Sequence, residues 1–310
     1  MPPVLPVVSS QSKSNLDRFL QCVTPVTPSR FLPQSCMHEL NSLWQPPRSC
    51  NEVVEYFTLK DLWDCYGEWS AYGTGTELLV KGGTIWQYYV PYLSAVQIYS
   101  NKSLRFDIAD AESDSWSDDS LSDKLSRSLS NNSTKTWDSA SDDTSFDHDG
   151  SLPSRDKLGY LYMQHFETCS PYWRVPLSEK ISQLAKTYPG LYTLKNVDLS
   201  PASWLSVAWY PIYHIPSRSN EKDLSTCFLT YHTLSSSFQD NIEEENDAKD
   251  GVGLPPFGLV TYKMHGDIWA NPETADQEKL MYMNSAADSW LKQLSVHHHD
   301  FNFFSYHAFV

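Results

Sequence analysis

Apolar residues recur every three or four positions in four stretches of the chain, which is the spacing of one helix face. These stretches are residues 14–22, 58–69, 178–188 and about 272–294. Thr58 and Asp61 form a capping-box pair that begins the second helix, and Pro189 with Gly190 ends the third. The last stretch has an apolar arc about 100° wide, so it predicts a long amphipathic helix near the end of the sequence.

Other apolar stretches alternate, or run continuously, over the length of a strand. They are residues 76–80, 84–100, 157–167, 203–216, 226–235, 257–264 and 301–310. Gly82-Gly83 suits the tight turn of a hairpin between the first two. Strands and helices show no β-α-β rhythm. The pattern therefore predicts an α+β fold: one core with a largely antiparallel mixed sheet, a long C-terminal amphipathic helix and two shorter helices.

Two acidic segments interrupt this pattern and carry nearly all of the net charge of −15. Residues 107–149 hold 12 acidic and 3 basic residues, and residues 239–250 hold 6 acidic and 1 basic. Such Ser/Asp-rich segments cannot bury enough apolar surface to offset their chain entropy. We expect one discontinuous domain, residues 14–102 and 158–310, with a disordered N-terminal segment 1–13, a disordered insert 103–157 and an acidic loop 236–253.

The stretch 203–216, "SWLSVAWYPIYHIP", is apolar on both faces of a strand, which is typical of a central strand covered on both sides. Pro211 has no N–H for the ladder, so the strand should bulge, bend or end there. Two interpretations stay open. Either the stretch is a buried core strand, or the kink opens the sheet and presents Tyr210, Tyr213 and His214 as a binding surface.

Several stretches together resemble a known family. "SNLDRFL", "YFTLKDLWDCYGEWSAYG", "PLSEKISQLA", "DLSPASWLSVAWYPIYHIP" and "CFLTYHTL" occur here in the order found in a plant-specific family catalogued as domain of unknown function 789. The resemblance covers about residues 14–310 and implies a plant protein. It implies no reaction, ligand or catalytic residue. The tract His297 to His299 departs from the family's pattern, so a family-wide role for it is not indicated.

Candidate catalytic and metal-binding groups are few. The chain has no G-x-S-x-G, H-E-x-x-H or P-loop lysine, and "YGTGTE" reads as a turn. Adjacent histidines at 297–299 cannot all point at one ion from a strand, so we expect no metal site there. Asp61, Asp64 and Glu68 share a helix face that we interpret as solvated.

Cys227 and His232 suggest a nucleophile and a base, but five residues apart on a strand they face opposite sides. Either one could instead pair with a distant residue. The candidates for such a pairing are His165, His214 and Asp198.

Net charge, cysteine spacing and hydropathy limit the kinds of partner and the cellular location that we expect. The residues outside the acidic segments carry a net charge of about −1 and no run of Lys and Arg, so we expect no nucleic-acid binding. No apolar run approaches the ~18 residues of a membrane span. The six cysteines form no C-x-x-C pair and the sequence begins with no secretory signal, so we expect reduced thiols in the cytoplasm, the nucleus or both. No cofactor is indicated.

Two function classes remain open. We favour a non-catalytic protein-interaction module with a phosphorylatable acidic insert that would engage a partner with a basic surface; chance matches in a Ser/Asp-rich segment are the alternative for the phosphorylation sites. Ser115, Ser120, Ser139 and Thr144 each precede an Asp by three residues, a spacing that acidophilic kinases prefer. The alternative is a hydrolase or transferase whose acid-base site is built from scattered His, Asp and Tyr.

Overall fold

The computed structural model describes residues 13–33, 53–81, 83–100, 158–216, 224–238, 251–264, 268–270 and 275–308. The predicted insert 103–157, its four phosphorylation candidates and most of the segments 1–13 and 236–253 lie outside these residues. The domain boundaries that depend on them stay predictions.

The main sheet has six strands, and every strand pairing in it is antiparallel. Its strands are β4 (Thr74–Val80), β5 (Gly83–Ser100), β6 (Tyr160–Phe166), β7 (Trp204–Ile215), β8 (Cys227–Thr233) and β10 (Gly258–Tyr262). The order is β10-β8-β7-β5-β4, with β6 paired to the far end of β5. Two small sheets join β1 (Val26–Thr27) to β9 (Val252–Gly253) and β2 (Arg30–Pro33) to β3 (Val53–Tyr56).

The helices cover both faces of this sheet. They are α1 (Asn15–Cys22), α2 (Leu59–Tyr72), α3 (Leu177–Ala185), α4 (Gly190–Thr193), α5 (Asp276–Gln293) and α6 (His299–Tyr306), with 3-10 turns at Pro171–Trp173, Asn196–Asp198 and Ser236–Phe238. Ser14 caps α1. Thr58 with Asp61 caps α2 in the capping box that the sequence predicts.

Two apolar clusters lie on opposite faces of the sheet. One contains Phe19 and Leu62 from α1 and α2, packed against Tyr89 and Phe228 of the strands. The other contains residues of α5 and α6, among them Ala287 and Phe304, packed against Trp204 and Tyr231. The central strands are therefore covered on both sides, which explains why their sequences are apolar on both faces.

The α+β class with a largely antiparallel sheet is confirmed. The expected strand 301–310 is wrong, because His299–Tyr306 form a helix. Aromatic residues favour strands by propensity. Here, however, Phe304 is buried while Phe303 and Tyr306 are exposed, so the packing of one helix face outweighs that propensity. The pattern at 272–294 corresponds to α5, which α6 then follows.

Candidate functional site

The stretch 203–216 is both core and surface. Every residue of β7 from Trp204 to Trp209 is buried, whereas Ile212, Tyr213 and Ile215 are exposed. The change coincides with Pro211, where the register against β5 shifts and Ile212 forms a bulge. The prediction that the strand bulges, bends or ends at Pro211 is confirmed.

Beyond the bulge, two cross-strand pairs form a ladder on one face of the sheet. Tyr213 lies opposite Tyr88, and their rings stack with centroids 4.5 Å apart and planes inclined by 20°. Ile215 lies opposite Trp86 in the same register. The residues Trp86, Tyr213 and Ile215 are 46%, 46% and 54% exposed. We call Trp86, Tyr88, Tyr213 and Ile215 the aromatic face.

The aromatic face continues a surface that helices cover elsewhere. Tyr210 lies opposite Val90, one pair further along the same face, and its ring contacts those of Tyr92 and Phe304. Phe304 belongs to α6, so the helical cover extends to about Tyr210. At the uncovered end, Gly75 of β4 lies opposite Tyr88, and a Cβ there would come within 3.1 to 3.3 Å of the Tyr88 and Trp86 rings. A glycine thus lets both rings lie close to the sheet.

A buried amide fixes this end of the sheet from behind. Gln87 is 2% exposed, and its Nε2 donates hydrogen bonds to the carbonyl oxygens of Tyr213 at 3.0 Å and of Tyr88 at 3.1 Å. The backbone of the stacked pair is therefore held by a side chain from the opposite face. Such pre-organisation lowers the entropy lost when a partner binds.

The three predicted surface residues do not share one environment. Tyr213 is on the aromatic face, and Tyr210 lies on the same face under the edge of the helical cover. Burial raises the pKa of Tyr210 far above its usual value. His214 lies opposite Gln87 and so projects from the other face.

A second group of polar side chains lies between β5, β8 and α6, and no sequence motif indicates it. A bulge after Leu93 directs Ser94 toward α6, where its Oγ lies 2.9 Å from Nε2 of His298 and 2.5 Å from Oδ2 of Asp300. Tyr231 Oη lies 2.8 Å from Nδ1 of the same histidine. Arg174 donates to both carboxylate oxygens of Asp300, at 2.6 and 2.7 Å. These residues come from four separate elements, so no sequence spacing could indicate the whole cluster.

The hydrogen bonds of this polar cluster run in one direction. Burial alone would raise the pKa of Asp300, but Arg174 and Ser94 hold it below its usual value, so Asp300 is a carboxylate and only accepts. Ser94 therefore donates to Asp300 and accepts from Nε2–H of His298, whose Nδ1 accepts from Tyr231. In a nucleophilic serine the hydroxyl proton instead points at the imidazole.

The polar cluster is also sealed from solvent. Ser94, Tyr231, His298 and Asp300 are each at most 2% exposed, and the Arg174 side chain is 2% exposed. Burial lowers the pKa of His298 to about 4, so its imidazole is neutral at pH 7. We interpret the cluster as a satisfied buried network that attaches α6 and the turn at Arg174 to the sheet.

The predicted distant acid-base pairings are not supported by position. His165, Val96, Leu205 and His232 lie in one row across four strands, so two apolar residues separate the two histidines. His232 is buried, with Nδ1 2.8 Å from the carbonyl oxygen of Leu254. His214 lies opposite Gln87, nine residues along β7 from the row of His232, which is roughly 30 Å of strand. Asp198 lies in a 3-10 turn.

Cys227 and His232 face opposite sides of β8, as predicted. Cys227 packs in the cluster of α5 and α6, and His232 projects toward Leu254. Within the described ranges Cys22, Cys65, Cys169 and Cys227 are free thiols, and no group of three His, Cys, Asp or Glu side chains is placed to hold a metal ion. Of the helices that the structure describes, none has the length and apolarity to cross a membrane.

A family model described as "Protein of unknown function (DUF789)" matches residues 14–304. The chain therefore belongs to this family, as the sequence resemblance implies. No curated protein and no solved structure matches it.

Proposed function

We propose that this protein is a non-catalytic interaction module that binds a partner protein through the aromatic face. The observation that carries the proposal is the Tyr88–Tyr213 stack, flanked by the exposed pair Trp86 and Ile215 on a rigid sheet. Trp and Tyr are the residue types that dominate binding energies at protein interfaces. A rigid pair of large rings loses little conformational entropy on binding.

The character of the face favours an apolar partner surface. The aromatic face itself contains no charged side chain; Glu77 of β4 lies opposite Trp86 at its border and is paired with Arg18. The chain outside the acidic segments is almost neutral. A charged substrate would thus meet no strong steering field. We propose that the partner inserts aliphatic or proline side chains between the Tyr88–Tyr213 stack and Trp86.

The acidic insert is the second element of the proposal. Phosphates on Ser115, Ser120, Ser139 or Thr144 would each add roughly −1.5 to −2 charges at pH 7 and strengthen contact with a basic surface of the partner. We further propose a plant origin and a cytoplasmic or nuclear location. Phosphopeptide mapping that covers these four residues and finds none modified would count against the role of the insert.

The polar cluster does not favour the enzymatic alternative. Its Ser94 hydroxyl donates to Asp300 and not to His298, and its members are inaccessible to a substrate. Binding therefore remains the better supported function.

Affinity capture tests the proposal. Full-length protein with Trp86→Ala and Tyr213→Ala is compared with wild type in an extract of the source tissue. Tyr172→Ala is the matched control, because Tyr172 is 93% exposed and lies in a different part of the fold. We expect a partner that wild type and control retain and the double variant loses. A partner retained equally by all three proteins would refute the assignment of the surface.

A further inference from the structure

A groove lies between α1 and α5, away from the aromatic face. This open groove has a volume of about 980 Å³, and Leu20 of α1 and Met283 of α5 contribute buried apolar surface to it. Pro255, Pro256 and Phe257 form a third wall. Six of the eleven residues that line the groove are aliphatic, proline or aromatic, and the other five are polar or charged. The apolar part of a groove of this size is suited to a short apolar segment.

The charged groups at the groove already have partners within the fold. Lys279 Nζ lies 2.5 Å from Oδ1 of Asp17, and Lys13 Nζ donates to Oε1 of Gln21 at 3.0 Å. A ligand therefore need not supply charge. Tyr282, which is 74% exposed, extends the apolar rim.

The chain itself contains a segment with matching chemistry. Residues 1–12, "MPPVLPVVSSQS", have no charged side chain, and residues 2–8 consist only of Pro, Val and Leu. Prolines at 2, 3 and 6 favour a polyproline II conformation, which needs no backbone partner and loses little entropy on binding. Grooves with aromatic side chains are the usual receptors of such segments.

The segment also joins the structure at the correct place. Lys13, the residue that follows it, itself lines the groove, and the groove runs along α1 as far as Thr24. The helix itself, Asn15–Cys22, is about 12 Å long, and Lys13 and Thr24 extend the groove beyond both of its ends. Residues 2–8 in polyproline II conformation span about 20 Å, and the polar residues 9–12 permit the chain to reverse direction.

We propose that residues 2–8 bind in the groove between α1 and α5 as an intramolecular ligand. The tether of four residues gives the segment an effective concentration in the millimolar range, so even a weak site is occupied. A proline-rich segment of another protein must then compete with residues 2–8.

The test uses full-length protein and a fluorescein-labelled peptide of residues 1–11 as the probe. One variant carries Leu5→Asn and Val7→Asn, which should release the segment because a buried amide without hydrogen-bond partners is unfavourable in an apolar groove. The control carries Ser9→Asn and Ser10→Asn, the same side chains in the connecting residues. Circular dichroism checks that all three chains are folded.

We expect fluorescence anisotropy to show that the peptide binds the released variant at least tenfold more tightly than wild type or control. Adding Tyr282→Ala to the released variant should weaken this binding severalfold, because the apolar rim is lost. Binding to none of the chains would refute the site. Equal binding to all of them would show that the groove is open to ligands from other proteins and would overturn the intramolecular assignment. Neither result depends on the aromatic face.

Discussion

Tyr213 stacks on Tyr88 across two antiparallel strands, with 4.5 Å between ring centroids, yet 46% of the Tyr213 surface is exposed. Four residues earlier on the same strand, Trp209 is fully buried and donates its indole N–H to Thr230 Oγ1 at 3.0 Å. The bulge at Ile212 separates these two environments. One strand thus lies in the core at one end and at the exposed surface at the other.

This contrast predicts different costs for two truncations on β7. Tyr213→Ala should lower the free energy of unfolding by about 1 kcal/mol, because it removes one stacked pair and partial burial. Trp209→Ala should cost about 3–5 kcal/mol, as buried aromatic truncations do. Urea denaturation of both variants measures the difference. Equal losses of unfolding free energy would show that Tyr213 is part of the core.

The buried ion pair of the polar cluster predicts a second contrast. Asp300→Asn should destabilise the fold by about 3–5 kcal/mol, because Arg174 is left buried without its carboxylate. Asp288→Asn, which removes a partly exposed pair with Lys292, should change stability by less than about 1 kcal/mol. Chemical denaturation at pH 7 compares them. If the two losses were similar, the cluster would not be an anchor of α6.

Two buried histidines predict how stability depends on pH. Burial lowers the pKa of both His232 and His298 to about 4, whereas the unfolded value is about 6.5. Between these values the unfolded chain binds protons that the folded chain does not. Stability should therefore fall as the pH drops from 6.5 toward 4, by up to about 3 kcal/mol for each histidine.

Urea denaturation at pH 7, 6 and 5 measures this dependence. Glu167 contributes little to this dependence between pH 7 and 5. A backbone N–H and Lys180 hold its pKa at about 2 despite its burial, so its stabilisation is lost mainly as the pH falls below its ordinary pKa of 4.5. His232→Gln should flatten the pH dependence by about one proton. An unchanged slope would mean that His232 titrates normally in the fold.

Substitutions at two glycines test how closely β1 and β9 are held together. A Cβ on Gly251 would lie 2.2 Å from the carbonyl oxygen of Thr27, so Gly251→Ala must separate the two strands. Gly253 has open space at the same position, and Gly253→Ala is its control. We expect faster amide hydrogen exchange around Thr27 in the first variant alone. Equal exchange in both would show that the strands are not held this closely.

The sequence indicates the helices at 14–22, 58–69 and 178–188 because their periodicity is local, as are the capping residues of the first two. It also indicates the bulge at Pro211, because a missing N–H is a property of one residue. The sequence does not indicate the helix at His299–Tyr306, because an aromatic stretch is equally compatible with a strand. What distinguishes the two is the contacts that Phe304 and Asp300 make with other elements.

The features of the candidate sites also differ in how far the sequence predicts them. The surface position of Tyr213 can be expected from the bulge, but its stack on Tyr88 depends on the register between β5 and β7. Strand alternation predicts that His214 and Tyr213 project from opposite faces once the position of the bulge is known. The polar cluster joins Ser94 to Asp300, which are 206 residues apart, and only the fold brings them together.

The most direct measurement is the dissociation constant between the full-length protein and the purified partner obtained by affinity capture. We predict that Trp86→Ala with Tyr213→Ala weakens binding by about 2 kcal/mol or more, roughly 30-fold, while the Tyr172→Ala control binds like wild type. Both variants should keep a cooperative unfolding transition. A dissociation constant that the double variant leaves unchanged would contradict the assignment of the aromatic face as the binding surface.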